Sequence, residues 1–162
     1  MIRPRAMLGL CLLVASGVCS PVPAVPAPLI AVVVSATSPA TRLGLPELAL
    51  IYRRKQLFWP DGTKINPVNL PVTNALRRTF SDVVLDASPD DLEAYWNDMY
   101  FHGIAPPYVL ASDEVVLRFV AQTQGAVGYV AYCNVDQRAR VLLVLSDSGL
   151  VDAASARASC AH

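Results

Sequence analysis

The stretch Leu29–Ser35, LIAVVVS, is almost wholly apolar and rich in valine. β-Branched side chains crowd a helix and suit a pleated strand. A strand turns alternate side chains to opposite faces, so an uninterrupted apolar run needs cover on both. The chain must therefore build a sheet with other layers above and below it. This is the signature of an α/β domain rather than of a sheet with one wet face.

The rest of the chain has the material for one such domain. It has 162 residues, 54% of them apolar and 16% charged. That excludes a disordered chain, which lacks the apolar area to offset its ordering entropy. Thirteen Lys/Arg and thirteen Asp/Glu give a net charge of zero, which argues against a nucleic-acid partner. Arg3 and Arg5 precede the apolar segment Met7–Val18, and Val22-Pro23-Ala24 ends on small residues. Residues 1–24 read as a secretory signal peptide, the segment being too short to span roughly 30 Å of hydrocarbon. An uncleaved anchor is the alternative. Cys19 suggests a lipidation site, but Val18 stands where a small residue should precede it. Cleavage removes two of the thirteen basic residues and leaves a net charge near −2.

The folded part then reads as residues 25–148, followed by a flexible tail over 149–162. Pro46 suits a first helical turn, with Leu45, Leu48, Ile51 and Tyr52 on one face and Arg53-Arg54-Lys55 at the end. Those three cations are a solvated helix end, or a contact for anionic lipid or an acidic partner. Ile65–Leu70 is a second strand. Asn74 can cap a helix whose apolar face is Leu76, Phe80, Val83 and Val84. Ser88, Pro89 and Asp91 open another, with Leu92, Tyr95, Trp96, Met99 and Tyr100 at helical spacing and Gly103 at its end. The aromatic residues Tyr95, Trp96, Tyr100 and Phe101 are assigned to the core rather than to a sugar-binding platform. Ser112, Asp113 and Glu114 start a helix that stops at Gly125. Strands follow at Ala126–Ala131 and Arg140–Leu145. The order is β-α-β-α-α-α-β-β, a small mixed sheet flanked by helices.

No catalytic constellation is visible, and the reading is a non-enzyme with no cofactor and no metal. His102 ends a helix where the dipole favours it, and His162 is the last residue. Asp90, Asp91 and Glu93 are helix-start charges. Cys133 and Cys160 remain after cleavage, in a compartment where disulfides persist. They can pair, or Cys133 can be a small core residue and Cys160 part of a frayed end.

Read in register, several segments resemble the type II periplasmic solute-binding proteins, in particular the phosphate-binding proteins of ABC transporters. LIAVVVS resembles that family's LAVVVN-type strand. PELALIYRRKQLFWPDG resembles its L-x-x-I-[FY]-x-G-K-x-x-x-W-x-D-G, and KINPVNLP its next strand. TQGAVGYV, Thr123–Val130, resembles NPGAIGYV, and YWNDMYFHG resembles its W-x-x-x-x-F-x-G. The match covers about residues 28–145. The resemblance implies one lobe of a two-lobed fold, a periplasmic location and a small oxyanion such as phosphate as ligand. It also implies a face left by the missing lobe, open to an envelope protein or a second copy. The family's anion loop, R-x-x-x-S-G-T at a helix start, is here the stretch Asn69–Arg77, so most of its side chains differ.

What survives is the helix start itself. Thr73 and Asn74, with Arg77 and Arg78 one turn on, form either a remnant anion site or an ordinary cap beside two solvated arginines. Ser35, Thr37 and Ser38 end the first strand and either line the same crevice, because ligands gather at strand C-termini in α/β sheets, or form an ordinary polar loop.

Overall fold

A computed structural model describes residues 28–160. The proposed signal peptide, Cys11, Cys19 and His162 lie outside the described residues. Six strands form one sheet in the order β3-β2-β4-β1-β5-β6. They are β1 (Ile30–Ser35), β2 (Asn66–Asn69), β3 (Tyr108–Val109), β4 (Ala126–Ala131), β5 (Ala139–Ser146) and β6 (Gly149–Val151). The helices are α1 (Leu45–Tyr52), α2 (Ala75–Leu85), α3 (Leu92–Phe101), α4 (Asp113–Gln122) and α5 (Ala153–Ala158).

The apolar run becomes β1, with Ile30 to Val34 all fully buried. It lies between β4 and β5 and is antiparallel to both. β2 runs parallel to β4. Pro67 is tolerated inside β2 because Asn66 donates toward β4, so the next nitrogen faces the other side, where β3 first pairs at Val68.

Both faces of the sheet are covered. Gly128 and Tyr129 are neighbours in β4, so they face opposite ways. On one face the Tyr129 ring stacks on Phe80 of α2 at 3.9 Å, and Tyr52 of α1 tilts against Phe80 at 4.6 Å. On the other, α4 lies so close that a Cβ on Gly128 would stand 2.6 Å from Val116. The result is a three-layer α/β/α domain.

Local chemistry accounts for the helix ends. The Asn74 side chain accepts from the Leu76 N–H at 2.8 Å. Ser112 caps α4. Arg53 donates to the Leu85 carbonyl and closes the end of α2. The His102 ring meets the Asp98 carbonyl at 2.9 Å, at the end of α3.

Three expectations are corrected. A short β3 lies between α3 and α4, after Pro106-Pro107, and adds an edge strand to β2. The segment from residue 149 is not a tail. It forms β6, which pairs with β5, then α5, and Cys160 is joined to Cys133 with their Cα atoms 5.4 Å apart. The face of α3 is also less buried than its spacing suggests. Leu92 is buried and Tyr95 and Trp96 are half-buried, but Tyr100 is 70% exposed and Phe101 87% exposed. α3 meets the end of α1 through the Tyr95 hydroxyl, which donates to the Arg53 carbonyl at 2.7 Å, and its far end is exposed.

Arg138 ties α4 to the turn before β5, meeting Glu114 and Asp136 at 2.6 Å each. These bonds hold the Glu114 carboxyl at about 2, below its ordinary 4.5, and lower Asp136 as well. A depressed carboxylate contributes stability above its unfolded pKa and loses it as pH falls through the folded one. Stability is therefore expected to decline modestly from about pH 4.5 toward 2, the network being exposed. Glu114→Gln should flatten that decline in acid unfolding followed by circular dichroism.

Candidate functional site

The end of β2 and the start of α2 meet at Asn69-Leu70-Pro71-Val72-Thr73-Asn74. A turn bonds the Asn74 N–H to the Pro71 carbonyl at 2.9 Å. The Asn74 side chain then satisfies Leu76, and the Arg78 N–H reaches the Asn74 carbonyl. The N–H groups of Ala75 and Arg77 have no acceptor among the described residues. Two free donors at the positive end of a helix suit an anion.

The side chains divide sharply. Thr73 is exposed, and Arg78 is exposed with its Nε on the Val72 carbonyl at 3.2 Å. Both border a depression of about 210 Å³ that also holds Asp82 and Asp90, whose charges oppose an anion there. Arg77 turns the other way. It is 7% exposed, packed under α2, and its Nε and Nη1 have no hydrogen-bond partner. The expectation of two solvated arginines is thus corrected for Arg77. Residues 77, 80, 81 and 84 share one stripe of α2, and that stripe faces the sheet.

Around Arg77 the groups are polar but neutral. The Tyr129 hydroxyl donates to Asn69 Oδ1 at 3.2 Å and accepts from the Leu70 N–H at 3.3 Å. Burial pushes the Tyr129 phenol up to about 12, against the opposing pull of Arg77. Burial likewise raises the Tyr52 phenol, whose hydroxyl donates to the Val68 carbonyl at 3.0 Å. Ser81, one turn beyond Arg77, is also buried without a partner for its hydroxyl. Asp113, at the start of α4, is engaged by the Ala131 N–H and the Asn134 amide. No ion pair to Arg77 is present among the described residues.

Ser35, Thr37 and Ser38 do not join this cluster. β1 is antiparallel to β4 while β2 is parallel to it, so the C-terminal end of β1 lies at the opposite end of the sheet from α2. The expectation of a shared crevice is corrected on that ground. The three residues border a separate cavity of about 360 Å³ with Trp59, Thr63 and the loop after α4.

No family model matches the sequence, and no curated protein matches it. The fold, however, is similar to that of solved structures. One is described as a phosphate ABC transporter substrate-binding protein from Clostridium perfringens, solved with bound phosphate. It superposes with a TM-score of 0.60 at 18% identity, over 74% of this chain and 46% of that one. An ABC-type phosphate transport receptor from Vibrio cholerae gives 0.57 at 19% identity, over 74% and 48%. PstS from Borrelia burgdorferi gives 0.53 at 16%, over 73% and 48%. At these identities the likeness is one of fold. The chain spans about half the length of each.

Proposed function

We propose that this chain is a solute-binding-type lobe that holds a small oxyanion, phosphate or a close analogue, where β2 ends and α2 begins. The structural neighbours named for phosphate support the class of ligand. The observation that carries the reading is Arg77. A buried cation with two of its three guanidinium nitrogens unpaired and no ion-pair partner among the described residues costs several kcal/mol in desolvation. Its Nε and Nη1 lie on the first turn of the helix that also offers two free N–H groups. An oxyanion bound at the helix start would accept from those N–H groups and offset the buried charge. Thr73 can add a hydroxyl at the rim. In this reading the basic and apolar leader over residues 1–24 carries the protein to the periplasm, and the protein binds rather than catalyses.

The test is thermal unfolding of the protein in phosphate, sulfate and chloride at matched ionic strength. A ligand at 100 times its Kd adds about 2.7 kcal/mol, or roughly 8 °C for a domain of this size. Phosphate or sulfate is expected to raise the midpoint and chloride to leave it unchanged. Equal curves in all three salts would contradict the reading.

A further inference from the structure

Arg54, among the cations that end α1, is not explained by an oxyanion site under α2. Arg54 has φ +58, a left-handed conformation that disfavours any side chain with a Cβ. Its Nη1 reaches the Ile65 carbonyl at 3.3 Å, while its Nε is buried without a partner. It lines a groove of about 370 Å³ whose walls include Leu57, Lys64, Ile104, Pro107 and Tyr108. No acidic residue lines this groove, and neither Arg54 nor Lys64 is in an ion pair among the described residues.

The groove runs into the open edge of the sheet. β3 is outermost, and both of its side chains are exposed, Tyr108 at 74% and Val109 at 61%. The Leu110 N–H bonds the Asn69 carbonyl, so the neighbouring Val109 turns its own N–H and C=O away from β2, to the free side. Apolar walls, two uncompensated cations and a free strand edge therefore adjoin one another.

We propose that this groove and edge bind an extended acidic peptide of a partner protein. A carboxylate of the peptide meets Arg54 and Lys64. An apolar side chain enters between Leu57 and Pro107. The peptide backbone pairs with the N–H and C=O of Val109, as in strand addition. The charge of the groove selects the sign of the partner, since a basic segment would face two like charges.

Fluorescence anisotropy with a labelled decapeptide of alternating Glu and Leu tests this, with alternating Lys and Leu as the control. The acidic peptide is expected to bind the protein and the basic one not to. Lys64→Glu changes an exposed side chain and should weaken binding by about tenfold or more at unchanged melting temperature. Arg54→Gln should do likewise. Val109→Pro removes only an outward N–H and should weaken binding while keeping the β2–β3 ladder. Absence of binding up to about 1 mM overturns the proposal. So does equal binding of the two peptides, or acidic-peptide binding indifferent to Lys64→Glu and Arg54→Gln. Sedimentation with phosphatidylglycerol vesicles in place of peptide binding would also overturn it, in favour of a lipid surface.

Discussion

Gly125→Ala is expected to lower the melting temperature by roughly 12 °C or more, a loss on the order of 4 kcal/mol. Two costs add. Gly125 has φ +73, where a side chain costs about 1–3 kcal/mol. Its Cβ would also stand 2.0 Å from the Lys64 carbonyl oxygen and 2.9 Å from the Thr63 methyl. That oxygen belongs to backbone, so it cannot swing aside as a side chain would. Nor can residue 125 retreat freely. Its carbonyl accepts from the Asn66 N–H at 3.0 Å and from the Trp59 indole at 3.1 Å. Those two bonds join the loop between α4 and β4 to the start of β2 and to the turn that precedes it. Gly62→Ala is the control, because Gly62 has φ +84 but open space where its Cβ would be. It should lose only the conformational part, about 1 kcal/mol. Thermal unfolding of the two variants side by side checks the difference, and equal losses would contradict the account.

Cys133→Ser with Cys160→Ser is expected to cost roughly 3–4 kcal/mol in the chain-entropy account of a disulfide. The bond joins residues 27 apart in sequence, and the loop it closes contains β5. β5 pairs with β1 along its length, so the loop cannot open without loss of the central sheet. The bond also holds α5, which buries only Ala156 and is otherwise fixed by the Asp152 cap. Amide exchange should therefore rise first in α5 and β6, and the melting temperature should fall by roughly 10 °C. The same change should follow reduction of the wild-type protein. An unchanged melting temperature in both would show that the link is dispensable.

Much of this fold was legible where the determining chemistry is local. The valine run could only be a strand covered on both faces. Asn74 and Ser112 announced the starts of α2 and α4, and Gly125 the end of α4. What escaped depends on contacts far apart in sequence. β3 is two residues long and has no alternation to read, and it forms because β2 offers it a ladder. α5 is an alanine-rich segment whose anchor is a cysteine partner before β5. The direction of β1 was equally hidden, because an apolar run looks the same read either way. That error carried Ser35, Thr37 and Ser38 to the wrong end of the sheet. Arg77 was different, since its burial could have been read. With Phe80, Ser81 and Val84 it occupies an i, i+3, i+4, i+7 stripe, and a cation on the inward stripe of a helix is a signal in itself.

The central claim is that Arg77 is a buried cation awaiting an anion, and Arg77→Met tests it most directly. Methionine keeps most of the volume and removes the charge. Replacing even a buried ion pair by packed apolar groups is often neutral or stabilising by about 1–4 kcal/mol, and an unpaired charge has no partner's attraction to lose. The account therefore predicts a variant that melts above wild type without phosphate and does not respond to phosphate, while the wild-type midpoint climbs with it. A variant that tracks wild type at every phosphate concentration, or a wild type that does not respond at all, would contradict it.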